Sequence, residues 1–369
     1  MTEHFCAFEH VLVDADNPMH PHCKAAGDLD GDGHPDAAAA SAKDGGLYWY
    51  RWPEWTKHKI ADGTFTTDMA IADVDGDGYG DVLIPGKDGL TLYRNPLGSG
   101  GDPTRDPWIA VQISEEGAHD VEPADLDGDG KLDLVTRYQS GFGHLQGNRV
   151  YLWYQQSPTE WTGRSFDCPH GEGLCVADID GDGYPDVIIG GRWYRNPQGD
   201  PDGTWQEFLY MSEDHFDTCW TGGDVVVAAG DCNGDGRLEI ILTPAEGAGR
   251  LAWYEAPDNP TQTDWAEHVI EADMDHSHGM AVGDINGDGQ LDIVLAKMHQ
   301  ASAPQRVAVY YNEGNGASWA KQDVATTGSH NIALADFGST GRLDIFGANW
   351  NNVAPTGGAV EIWLNKGPS

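Results

Sequence analysis

Short strings of β-branched and apolar residues recur along this chain: DVLIPG, DLVTRY, DVIIGG, EIILTP, DIVLAK and DIFGAN. Each has the length and bias of a buried strand and is too short for a core helix. An aromatic segment follows every time, as in LTLYRNP, RVYLWYQQ, RWYRNP, RLAWYEAP, VAVYYNEG and AVEIWLNKG, with GLYWYRWP in the first unit. After most of these comes a further strand opening on tryptophan, among them WTKHKI, WIAVQI, WQEFLY, WAEHVI and WAKQDV. No helical period intervenes, so the pattern predicts an all-β chain.

An acidic run, D-x-D/N-G-D-G-x-x-D/E, leads into each buried string. Six copies begin at Asp28, Asp73, Asp125, Asp178, Asp231 and Asp284, and a seventh, DFGSTGRLD from Asp336 to Asp344, keeps only its outer acids. A copy roughly every 50 residues is the size of one four-stranded blade. Seven units therefore predict a seven-bladed β-propeller, one domain spanning residues 1–369. The last unit lacks a fourth strand, and FEHVLVD, from Phe8 to Asp14, matches WAEHVIEAD in pattern and is expected to supply it. Closure of this kind leaves no open sheet edge.

Alternate acids in a glycine-turned loop converge their oxygens on one point, which suits Ca²⁺, a hard cation with oxygen ligands. The expected ligands are Asp28, Asp30, Asp32 and Asp36; Asp73, Asp75, Asp77 and Asp81; Asp125, Asp127, Asp129 and Asp133; Asp178, Asp180, Asp182 and Asp186; Asp231, Asn233, Asp235 and Glu239; and Asp284, Asn286, Asp288 and Asp292. No helix follows these loops, so they are not EF-hands. Much of the formal net charge of −39 belongs to them. That charge repels phosphate, which excludes nucleic acid and bare acidic membranes as partners. No stretch of eighteen apolar residues occurs, so no membrane insertion is expected. The N-terminus reads as no signal peptide; the chain would be secreted if it is a mature form and cytoplasmic otherwise. Six cysteines without a CxxC pattern permit disulfides and demand none. A monomer is expected.

In a propeller the innermost strand of a blade crosses the disc, so the loops before and after it lie on opposite faces. The acidic run follows that strand; whatever precedes it lies on the other face. Six places before each run stand His22, Thr67, His119, Glu172, Val225, His278 and His330. Four histidines in seven far exceed chance, and His20, His170, His215, His276, His144 and His299 are expected nearby. The same face should carry Asp68, Asp120, Asp224, Arg137, Tyr138, Arg192, Lys297 and Trp350. A titratable cluster in a concave site is a common mark of function. As an alternative, these histidines are hydrogen-bonded plugs of a polar channel.

The DxDGDGxxD runs ahead of β-strings resemble FG-GAP/VCBS propellers over practically the whole chain. Within them WYRNP, WYEAP, HSHGMAVGDINGDG and SHNIALAD followed by GANW resemble the carbohydrate-acting group: aldos-2-ulose dehydratase and the seven-bladed polysaccharide lyases acting on ulvan and on rhamnosyl-glucuronate ends. The resemblance implies His or Tyr as acid and base with Arg or a cation at the uronate. His119, His278, His330, Tyr138 and Arg137 would take the catalytic roles, and His22, Glu172, Arg192, Lys297, His299 and Trp350 would bind substrate. β-Elimination itself requires a neutralised carboxylate, a base for the proton alpha to it, and an acid for the departing oxygen. Histidine can serve as either acid or base near neutrality. A histidine set with Glu172 could instead hold a further divalent metal in the channel. The expected function is a carbon–oxygen lyase acting on a uronic-acid residue of a glycan. A ketosugar dehydratase, a calcium-dependent lectin and a protein-binding propeller are the alternatives.

Overall fold

The computed structural model describes residues 5–16, 20–65, 68–86, 88–139, 147–219, 223–350 and 358–368. Among them, seven four-stranded antiparallel sheets form the blades of a propeller. Blade 1 consists of Pro21–Gly27, Asp36–Ser41, Leu47–Arg51 and Thr56–Ala61. Blades 2 to 6 open with the inner strands Ala70–Ala72, Asp120–Ala124, Cys175–Ala177, Val225–Gly230 and Gly279–Gly283. Blade 7 opens with Ile332–Ala335 and takes its outer strand, Cys6–Asp14, from the opposite end of the chain, with Phe8 opposite Asn365 and His10 opposite Trp363. Each inner strand touches those of both neighbours, which closes the ring. The all-β, seven-bladed architecture and its N-terminal closure are as the repeat pattern predicts.

The acids that build the loops can be told apart from those that do not. Every second strand begins on the ninth residue of a run: Asp36, Asp81, Asp133, Asp186, Glu239, Asp292 and Asp344. That acid is buried, and in six blades its two oxygens accept backbone N–H groups from two separate segments. Asp36 takes Leu29 (3.1 Å) and Trp52 (2.8 Å), and Asp292 takes Ile285 and Asn312 (both 2.9 Å). The first acid accepts further N–H groups inside the loop, Asp28 from Gly31 (2.7 Å) and Gly33 (2.9 Å). Those glycines sit at φ +75° and +89°, a region open to glycine without strain. The seventh copy retains this scaffold with its outer acids alone: Asp344 accepts from Phe337 (3.1 Å) and Asp336 from Gly341 (2.6 Å). The middle acids are therefore not needed to form the loop.

The conserved look of the RNP and YN motifs within this chain also has a physical basis. Asn95, Gln155, Asn196, Asn312 and Asn365 each donate a side-chain N–H to a carbonyl in the preceding blade's loop, namely Leu29 (2.9 Å), Val74 (2.7 Å), Leu126 (2.9 Å), Cys232 (2.7 Å) and Ile285 (2.7 Å). Blade 1 has Trp52 there instead, stacked against Phe337 of blade 7 with ring centroids 6.5 Å apart. These amides stitch neighbouring blades together through buried groups. Asn312→Ala leaves the Cys232 carbonyl unmet and is expected to cost about 1–3 kcal/mol, read as a lower denaturation midpoint with an unchanged slope.

Among the described residues two short elements depart from the strand pattern; one is the 3₁₀ helix Pro96–Ser99. The other, Glu213–Cys219, between blades 4 and 5, is a short α-helix. Its signal is local: Ser212 precedes it, with its hydroxyl accepting from His215 N–H (3.3 Å), and Glu213 and Asp214 occupy the first turn. All six cysteines are free thiols.

Candidate functional site

The inner strands bring the histidine column together at one end of the channel. His119 Nε2 lies 2.9 Å from Glu172 Oε2, and His278 Nε2 lies 3.3 Å from Glu172 Oε1. His119 Nδ1 is 3.2 Å from Asp120. Asn331 Oδ1 receives Nδ1 of both His278 (3.0 Å) and His330 (3.2 Å). An amide oxygen only accepts, so both rings carry hydrogen on Nδ1 and turn Nε2 away from Asn331. His330 Nε2 then faces His22 Nε2 in direct contact. The His278 and His330 rings lie 4.0 Å apart between centroids.

The electrostatics separate these imidazoles. Burial alone would lower His119, but the carboxylates of Glu172 and Asp120 outweigh it and hold His119 well above the ordinary histidine range. Burial would raise Glu172, yet His119 and His278 bring it well below the carboxylate range. His278 is raised in the same way, against its burial, by Glu172. His330 goes the other way: burial, then His22, His278 and Lys24, hold it well below its usual value. Glu172 owes its aim to glycines on both sides. A Cβ on Gly171 would meet Gly223 O at 2.3 Å and one on Gly173 would meet Val225 O at 2.0 Å.

Several expected site residues do other work. Arg137 is 2% exposed and spends its guanidinium on the carbonyls of Gly173 (2.7 Å) and Pro169 (3.3 Å). It braces the segment bearing Glu172 and stands outside the histidine cluster. Tyr138, next along the strand and hence on its other side, is buried and lines neither the channel nor the cavity beside it. Arg192 pairs with Glu207 (3.1 Å) and Glu213 (3.0 Å). With Arg137, His170, Met211 and Phe216 it lines a separate cavity of about 480 Å³. Lys297 is ion-paired to Asp275. Trp350 lies against His299 (4.5 Å), His20 (4.4 Å) and His22 (5.6 Å), and burial followed by the neighbouring histidines pushes His299 down to about 4. Thr67 and His144 lie outside the described residues.

The structure adds groups that the sequence reading did not single out. These are Lys24 and Glu122, which line the 300 Å³ channel cavity together with His119, Glu172, His278 and the expected Asp68 and Asp120. Lys24 is buried, donates to the carbonyls of Pro21 (3.1 Å) and His22 (2.8 Å), and is pushed by burial down to about 7. Burial, then Asp68 and Asp120, push Glu122 up to about 8. A charged residue in the middle of a short inner strand, as in PHCKAAG and DVEPA, was the available signal. Asn331, the clamp on two imidazoles, sits in SHNIALAD directly after His330.

Donor sets in the channel and in the acidic loops could hold a metal. His119, Glu172 and His278 offer atoms within 4.8 Å of one another, as do Asp28 with Asp30 and Asp32, Asp73 with Asp75 and Asp81, and Asp125 with Asp127 and Asp133. In three loops an arginine from the third strand sits on the second acid: Arg51 on Asp30, Arg94 on Asp75 and Arg195 on Asp180.

Family models agree with the blades. An FG-GAP-like repeat matches residues 28–84, 73–136 and 231–295, and an FG-GAP repeat matches 170–204. The chain belongs to the FG-GAP repeat propellers. A comparison with curated protein sequences gave no match. Among solved structures, a lectin of Agrocybe aegerita that recognises non-reducing terminal N-acetylglucosamine is similar at 20% identity and a TM-score of 0.55, over 83% of this chain and 81% of that one. BBS1N in its complex with ARL6DN is similar at 13% identity and a TM-score of 0.56, over 99% and 98%. At these identities the likeness is one of fold.

Proposed function

We propose that this propeller is a carbohydrate-acting carbon–oxygen lyase, a single-domain monomer that performs β-elimination on a uronic-acid residue at the histidine-bearing end of its channel. The observation that carries the reading is the uneven cluster of His119, Glu172, His278, His330 and His22, assembled once from blades whose loops otherwise repeat. Elimination needs groups in opposite protonation states, and environments that push pKa values apart supply them. His119 is held cationic and suits the acid; His330, in contact with His22, is held neutral and suits the base. In such a step the proton alpha to the carboxylate passes to His330, the carbon–oxygen bond beta to it breaks, and the leaving oxygen takes the proton of His119. The imidazolium charge of His119 and His278 would stabilise the developing enolate. Arg137 and Arg192 are already occupied and are not assigned to the substrate carboxylate.

His119, Glu172 and His278 also fit a divalent ion of the zinc class, which when bound would supply Lewis acidity at that carboxylate. His119 would then be a ligand and not the acid. Incubation with a panel of uronate glycans and osuloses, followed by ultraviolet absorbance for a new conjugated double bond, tests the activity. Chelator sensitivity of that signal separates the two versions. The fold likeness to an N-acetylglucosamine-recognising lectin supports a second reading, in which sugars bind between blades without turnover. Several equivalent sugar sites by calorimetry, with no product from any member of the panel, would replace the lyase by the lectin.

A further inference from the structure

The short helix between blades 4 and 5 carries His215 and Cys219 one turn apart, on the same side. Both reach Glu267 on the outer strand of blade 5. Cys219 Sγ is 3.7 Å from His215 Nε2, His215 Nε2 is 3.4 Å from Glu267 Oε1, and the three donor atoms all lie within 4.8 Å of one another. Tetrahedral zinc has metal–sulfur bonds of about 2.3 Å and metal–nitrogen or metal–oxygen bonds of about 2.1 Å, which set nitrogen and sulfur about 3.6 Å apart and nitrogen and oxygen about 3.4 Å apart. The two observed separations are close to those edges. Glu267 is oriented from behind, with Tyr254 donating to Oε1 (2.7 Å) and Arg250 to Oε2 (3.1 Å). Outer hydrogen bonds of this kind commonly fix a ligating carboxylate.

We infer that His215, Cys219 and Glu267 bind one zinc-class divalent ion, at a site separate from the acidic loops and from the channel. A thiolate with an imidazole favours such an ion over Ca²⁺, and three protein ligands leave a fourth position for water. The ion would pin the helix to blade 5. Glu213, Phe216 and Asp217 of that helix wall the cavity shared with Arg137 and Arg192, so the site would fix the wall next to the segment bearing Glu172.

The test uses the full chain, stripped of metal, returned to Ca²⁺ and titrated with Co²⁺. One equivalent is expected to give a thiolate-to-cobalt charge-transfer band in the near ultraviolet, which the oxygen-only loops and the thiol-free channel set cannot produce. Cys219→Ser should abolish the band, and His215→Ala, at a half-exposed ring, should weaken Co²⁺ binding at least about 10-fold. His119→Ala and His278→Ala should leave the band intact. A folded native protein without the band overturns the assignment, as does a band that survives both Cys219→Ser and His215→Ala.

Discussion

His119→Ala is expected to lower the elimination rate by about 10²–10⁴, the usual contribution of a positioned general acid. The same change leaves Glu172, a buried carboxylate, with His278 and the long hydrogen bond from Gln139 (3.4 Å). Breaking a buried pair from one side costs about 3–5 kcal/mol, so the variant should also unfold more readily. His119→Gln keeps a donor toward Glu172 while removing the titrating proton, and a stable but inactive Gln variant separates chemistry from folding. The pH profile gives a second check. His330 lies well below the ordinary histidine value and His119 well above it. Activity should therefore be flat across neutrality, falling on the acid side as His330 takes a proton and on the alkaline side as His119 loses its own. A narrow bell centred near the ordinary histidine value would contradict the assignment of roles.

Removing divalent cations is expected to lower the melting temperature substantially, because several loops would lose a ligand together. One site held at a hundred times its dissociation constant contributes about 2.7 kcal/mol to the folded state. The loops are not expected to respond equally. Arg51, Arg94 and Arg195 already neutralise the second acid in three of them, so Asp127→Ala should reduce the Ca²⁺ effect more than Asp75→Ala. The empty and filled forms should also differ in the sign of their pH response. Burial, against two backbone hydrogen bonds, pushes the ninth acids Asp36, Asp81, Asp186 and Asp292 up to about 7. A raised carboxyl contributes stability that is full below its unfolded value and is lost as pH rises through about 7. In chelator, then, the protein should grow more stable as pH falls from 8 to 6. In excess Ca²⁺ protons compete with the ion, and the trend should reverse or vanish. An identical pH trend with and without Ca²⁺, together with an unchanged melting curve in chelator, would remove calcium from the loops.

The blades were legible in the sequence because their determinants are local and repeated. A ninth acid that caps its own loop and starts the second strand, glycines at left-handed positions, and an amide after the aromatic strand act within one blade or on the next. The same logic made the N-terminal closure readable, since FEHVLVD carries the pattern of an outer strand and only blade 7 lacks one. The histidine column was also visible, because equivalent residues in successive repeats must share a face.

What each side chain does at that face was not visible, because it depends on partners brought in from other blades. Arg137 and Arg192 look like free cations in a chain poor in them, yet the fold commits one to backbone carbonyls beside Glu172 and the other to Glu207 and Glu213. Tyr138 follows Arg137 and so turns to the opposite side of its strand. Asn331 looks like an ordinary polar residue until two imidazoles from adjacent blades converge on its oxygen. Cys219 and His215 match no sequence motif, since their third partner, Glu267, lies on the outer strand of the next blade. Repetition told which residues are equivalent; only the ring, by setting unlike residues of neighbouring blades against one another, decided which of them are charged, paired or able to bind.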